Sequence, residues 1–272
     1  MSEAVAQQPM KRASLPDKLL DGASLLWFVV MLMGQWVFLY YIASFYGPST
    51  LSGDFAAWDT NPFLSHGYVA GDQMGNLAFA GHVLMAAIVV FGGTLQLVPQ
   101  IRARAPWLHR WNGRVFLFVA VLVSLTGLWM DVTREIVVEG IAANFAISFN
   151  GVLVMVLAAL AWRAAAKRDF TSHRRWALRA FMVINGVFFL RMIVFGYIML
   201  AQAPPSELMF DVFTYLSYLL PLALVELYIR AREGPGIARL AMSGVVLASS
   251  LYMAVGIVGF SMVVVRTVLG GA

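Results

Sequence analysis

The chain has 272 residues, of which 61% are hydrophobic and only 12% charged, and it carries a net charge of +5. That charged share is about half of what soluble domains carry, so a water-soluble fold is excluded and lipid is the solvent that fits. With no cysteine, disulfides, thiolate-held metals and cysteine-ligated iron–sulfur clusters are excluded as well.

Residues 1–21 form a polar tail with Lys11, Arg12 and Lys18. The apolar run that follows is too long for a signal-peptide core and lacks an Ala-x-Ala-like exit, so it reads as a retained anchor. A spanning helix needs about 20 apolar residues. Runs of that kind predict spans at 22–46, 76–99, 113–131, 143–163, 178–201, 211–230 and 241–266. The longest connection, 47–75, holds Gly47-Pro48, Asn61-Pro62 and His66-Gly67 and predicts a short re-entrant or surface-lying segment. Pro221 falls near the middle of the sixth span and predicts a kink there.

Orientation comes from the connections. One side collects 16 of the 19 Lys and Arg residues, and the other collects acids with Arg134 as an exception. The positive-inside rule makes the basic side cytoplasmic. The expected fold class is therefore all-α: a polytopic transmembrane helical bundle with seven spans, N-in/C-out. Residues 22–272 form one domain, multi-pass in a bacterial inner membrane. The basic residues serve as topology signals, so no nucleic-acid partner is expected. The expected partners are the bilayer and a redox partner subunit or a second copy of the chain.

Few residues are candidates for chemistry. Histidine occurs only at 66, 82, 109 and 173. His82 lies within the second span, and helical periodicity puts Ala86, Val89, Gly93 and Gln96 on its stripe. Such a stripe is either a helix-packing seam or a groove for a flat ligand. Arg191 lies near the middle of the fifth span, where a guanidinium costs several kcal/mol unless paired or hydrated. Glu226 is its obvious charge partner, although nearer the cytoplasmic end. His109 and His173 both sit at the cytoplasmic interface, where a pair could ligate metal or haem or contact lipid phosphate. His66, in the outer loop, reads as a solvated or capping residue. Asn144, Ser148, Asn150, Asn185, Ser249 and Ser250 read as hydrogen bonding between helices. Gly256 and Gly259 read as close packing. The last span has no Lys for a retinal Schiff base, and neither a Gly-rich phosphate loop nor an HExxH motif occurs.

His109-Arg110-Trp111-Asn112-Gly113-Arg114 and His173-Arg174-Arg175-Trp176 followed by Arg179 form a weak internal repeat. With Gly81-His82, Gly92-Gly93-Thr94-Leu95-Gln96, Arg102, Leu125-Thr126-Gly127-Leu128 and Leu190-Arg191, these motifs resemble the bacterial predicted-membrane-protein family known as domain of unknown function 2306. The resemblance covers about residues 76–195. Where that family often has Gly-Pro before the glutamine, this chain has Gly93-Thr94. The resemblance implies a helical bundle without established chemistry, and points to His82, Gln96, His109, Arg114, His173, Arg179 and Arg191.

Three functions follow as expectations. The first is a membrane redox subunit binding b-type haem or quinone, with arginines for the propionates. A bis-His site needs two ligands at one depth, which only His109 and His173 offer. The second is a transporter or a non-catalytic assembly subunit, with Arg191 and Glu226 on its pathway. The third is an intramembrane zinc hydrolase with His109, His173 and Glu226 as its three ligands.

Overall fold

A computed structural model describes residues 14–60, 67–134 and 141–270. Apolar runs of this length leave every backbone polar group to be satisfied within its own segment, so each run is a helix. The helices are α1 (Leu15–Tyr41), α2 (Gly47–Ser52), α3 (Gln73–Leu97), α4 (Pro99–Arg104), α5 (Pro106–Thr133), α6 (Ile141–Ala166), α7 (Phe170–Ile184), α8 (Gly186–Ala201), α9 (Glu207–Glu233) and α10 (Gly236–Val264). Six helical stretches are long and apolar enough to cross a membrane singly. The α7–α8 pair, bent by 53°, makes a seventh span when taken as one.

The first span starts earlier and ends later than its hydropathy predicts. Ser14 caps α1 in a reciprocal capping box with Asp17, which moves the start to Leu15. Beyond Tyr41 the chain stays helical through a π-helical stretch, Ile42–Tyr46, and continues as α2. The expected surface segment is a 3₁₀ turn, Phe55–Thr60, pinned by the buried Trp58. Its indole donates to Ser49 Oγ at 2.8 Å and packs on Phe79 and Tyr46. His66 and Asn61-Pro62 lie outside the described residues.

Pro221, where a kink is expected, lies within the continuous helix α9. The break lies in the fifth span, at Asn185. Its side-chain amide donates to Phe181 O at 2.7 Å, a local bond that competes with helix continuation, and Gly186 follows.

The helices pack as a ring of neighbours: α1 on α10, α10 on α8, α8 and α7 on α9, α7 on α6, α6 on α5, and α5 on α3. Close approach at α8–α10 depends on Gly256. A Cβ there would lie 2.9 Å from Met192 Cα and closer still to the Met192 carbonyl oxygen. At the acidic end of the bundle, Arg134 ties the end of α5 to the start of α3. Its side chain is 3% exposed and pairs with Asp72 at 2.8 Å. It also donates to Gly75 O and Asn76 Oδ1, each at 2.7 Å.

Candidate functional site

The family-like motifs of the second and third spans meet along one α3–α5 seam. At one end His82 Nδ1 lies 3.0 Å from Thr126 Oγ1. The threonine hydroxyl also lies 3.0 Å from the Leu122 and Val123 carbonyls, so it has acceptors within its own helix and a lone pair to accept from Nδ1. In the middle Asn112 Nδ2 donates to Gly92 O at 2.8 Å, and Gly93 leaves room for Phe116 and Phe181. At the other end Gln96 Nε2 donates to His109 O at 3.1 Å. The His82–Gln96 stripe is thus a packing seam in this fold.

The two His-Arg motifs share a second geometry. Arg114 lies over the Trp111 ring at 4.8 Å, and Arg179 over the Trp176 ring at 4.9 Å. Each is a Trp-x-x-Arg pair on consecutive helical turns, with the indole shielding the guanidinium. His109 and His173 come close enough to interact electrostatically, beside Arg102 and Arg110. His173 Nδ1 is 3.0 Å from Ala161 O. A carbonyl only accepts, so Nδ1 carries a proton, and in the neutral ring Nε2 is the bare nitrogen. His109 Nδ1 is buried and has no partner among the described residues.

Glu226 is not the partner of Arg191. It accepts from Arg179 Nε at 3.0 Å and Nη2 at 2.5 Å, and from Arg230 Nε at 3.4 Å. Being nearer the basic rim, it faces α7 rather than α8. That engagement also removes it as a third zinc ligand. Among the described residues no cluster of three or more His, Asp or Glu side chains is placed to hold a metal.

Arg191 instead lies over the Phe38 ring at 4.7 Å and donates from Nη1 to Val187 O at 3.0 Å. Tyr41 and Tyr46 face it electrostatically. None of the ion pairs among the described residues includes it. Its hydrogen bond reaches one turn back along α8, toward the break.

The break gathers polar groups from four spans. It joins a 15-residue and a 16-residue helix, so it falls near mid-depth. The fully buried Gln35 donates from Nε2 to Asn185 Oδ1 at 2.8 Å. Because Asn185 Nδ2 is committed to Phe181 O, this chain of bonds fixes both amides, and Gln35 Oε1 is the atom left over. Gln35 Oε1, Asn150 Oδ1 and the Tyr218 hydroxyl are buried without a partner among the described residues. A Cβ on Gly186 would sit 3.0 Å from Asn150 Nδ2, 3.5 Å from Tyr218 Cβ and 3.6 Å from Ser217 Oγ. On α1, Gln35 and Phe38 share one face, so the Gln35–Asn185 bond and the Phe38–Arg191 stack are successive rungs of one seam. Of this cluster the sequence marks Asn150 and Asn185 as hydrogen bonding between helices, but neither Gln35 nor Tyr218, and not their meeting. Its signal was the set of single polar residues inside apolar spans, each readable alone as helix–helix hydrogen bonding.

A family model described as a predicted membrane protein (DUF2306) matches residues 79–229. No curated protein matches the chain, and no solved structure does. The matched stretch holds the α3–α5 seam, both Trp-x-x-Arg pairs, the break and Arg191, while Gln35 on α1 lies before it. It covers more than half of the chain, and the protein belongs to this family of predicted membrane proteins.

Proposed function

We propose that the protein is a transporter whose solute engages the break in the fifth span. One observation carries this reading. Among the described residues, a mid-depth break is ringed by buried oxygens without donors and lies within two helical turns of a guanidinium outside every ion pair. Irregular backbone at membrane depth is tolerated where it is buried in protein or lines a cavity, and half-helix N-termini take anionic groups. Arg191 and the start of α8 would draw an anionic group. Gln35 Oε1 and Asn150 Oδ1 would accept from donors on the same solute. Small organic acids bearing hydroxyl or ammonium groups combine those features.

The test is uptake into liposomes holding the purified protein, over a panel of small organic acids and amino acids, with thermal melting of the same protein alongside. At least one solute is expected both to accumulate and to raise the melting temperature. Arg191→Met is expected to cut its uptake tenfold or more, and Gln35→Leu to weaken it. A panel that neither enters the liposomes nor shifts melting overturns the reading.

A second reading, a redox subunit holding b-type haem or quinone, is favoured by the bare His173 Nε2 beside His109. A ligating histidine commonly donates its other N–H to a carbonyl, as His173 does to Ala161. The Phe116–Phe181 pair, 6.5 Å between centroids, lies about two turns deeper between the same helices. A macrocycle would therefore lie at the rim. The visible spectrum of the purified protein decides. A Soret band with a dithionite-reducible α-band, lost in His173→Ala, supports haem, and a colourless protein removes it.

A further inference from the structure

Between α6, α7 and α9, toward the basic rim, runs a groove of about 420 Å³. Leu157, Leu219, Leu222 and Ala223 make its walls, and Trp176, Arg179 and Glu226 complete its lining. The volume lies within the range of small-ligand pockets, and the groove is open rather than enclosed, between α6 and α9, which are each long and apolar enough to cross a membrane. It holds an ion pair there, with the Glu226 side chain 34% exposed. Hydrocarbon alone would leave that carboxylate and its guanidinium partner poorly solvated. The charges at the site do not cancel. Arg179 and Arg230 share the single carboxylate of Glu226. Arg230 is 74% exposed and uses only Nε, at 3.4 Å, so its two terminal nitrogens remain outside the pair. Arg175, on the same helix as Trp176, is matched by Glu233.

We infer that the groove is a binding site for an anionic phospholipid, with one acyl chain between the leucines and the phosphate at Arg230 and Arg179. The surplus positive charge selects an anionic head over a zwitterionic one, because a phosphate accepts bidentate guanidinium bonds while an added ammonium would be repelled. Trp176 has the amphipathic ring that suits the boundary between chain and head. The inference is independent of the break and of Arg191.

The test uses the full chain, purified in detergent and exchanged into nanodiscs of phosphatidylcholine doped with phosphatidylglycerol, followed by native mass spectrometry of the released protein. Phosphatidylglycerol is expected to stay bound at least tenfold more than phosphatidylcholine at equal supply. Arg230→Gln, which removes the head contact, and Ala223→Trp, which fills the groove, are each expected to abolish that preference. Melting of each variant in lipid-free detergent shows whether it is folded. If one is not, competition on the unaltered protein between phosphatidylglycerol and excess phosphatidylcholine decides instead. Equal retention of the two lipids, or an undiminished preference in a folded variant, overturns the inference. So does retention of a quinone in place of phospholipid.

Discussion

Gly256→Val is expected to abolish the folded protein. The new Cβ would overlap the Met192 backbone on α8, and a backbone carbonyl cannot rotate away as a side chain can. Overpacking in a core that yields costs about 1–3 kcal/mol, and a clash with main chain belongs at or above the top of that range. The damage would spread, because α10 packs on α8 and on α1, and the same seam holds the Tyr252 hydroxyl bond to Ile193 O at 2.9 Å. Size-exclusion profiles and melting in detergent are expected to show aggregate or a melting temperature far below that of the unaltered chain. Gly244→Ala, in the same helix but with nothing within 4 Å of its Cβ position, is the control. It is expected to hold or raise stability by up to about 1 kcal/mol through helix propensity. If the two variants melt alike, the close approach of α8 and α10 is not what Gly256 provides.

Arg134→Met is the second large effect, expected to cost about 3 kcal/mol. Removing one partner of a buried pair costs about 3–5 kcal/mol, and the low end applies because Asp72 is 37% exposed and keeps some hydration. The loss has three parts. Asp72 loses its cation, and Gly75 O and Asn76 Oδ1 each lose a donor. Asn76 in turn clamps Val69 through bonds at 2.9 and 3.0 Å, so the loop before α3 should loosen with it. Arg134→Lys restores the charge but not the fork, and is expected to fall between the two. A double-mutant cycle with Asp72→Asn, read by thermal melting, should give a coupling above about 1 kcal/mol. A value near zero would mean that Arg134 is only a topology marker.

The spans were legible because hydropathy needs no tertiary information, and the basic connections fell between them as expected. Arg134 was legible only as an exception to the charge pattern. Its role depended on Asp72 and Asn76, which are 58 residues or more away in the chain. Arg191 and Glu226 looked like partners because both are charged residues inside spans. A linear sequence carries neither the rotation of each helix nor its depth to within a turn, and those decided that Glu226 meets Arg179. Pro221 marked an expected kink, whereas nothing in the sequence marked the break at Asn185. A proline inside a well-packed helix removes one hydrogen bond, whereas Asn185 finds a competing bond at Phe181 and a partner in Gln35. Asn150 and Asn185 read separately as hydrogen bonding between helices, and Gln35 and Tyr218 carried no reading of their own. Their shared depth appears only once α1, α6, α7, α8 and α9 are placed side by side.

The π-helical stretch Ile42–Tyr46 carries a consequence for length changes. A π-turn holds one residue more than an α-turn, so the first span behaves as an ordinary helix with a single residue inserted. Deleting one residue there would turn the π-turn into an α-turn and leave the residues on either side in phase, whereas a deletion elsewhere in the span would rotate all that follows by about 100° relative to all that precedes. Gln35 and Phe38 would keep their rungs against Asn185 and Arg191, and the chain from Gly47 on would keep its facing, with Ser49 still at the Trp58 indole. The first span can thus lose a residue at this stretch without a change of phase between its two ends. A one-residue deletion scan along Leu32–Ser49 should find its mildest effects between Ile42 and Tyr46.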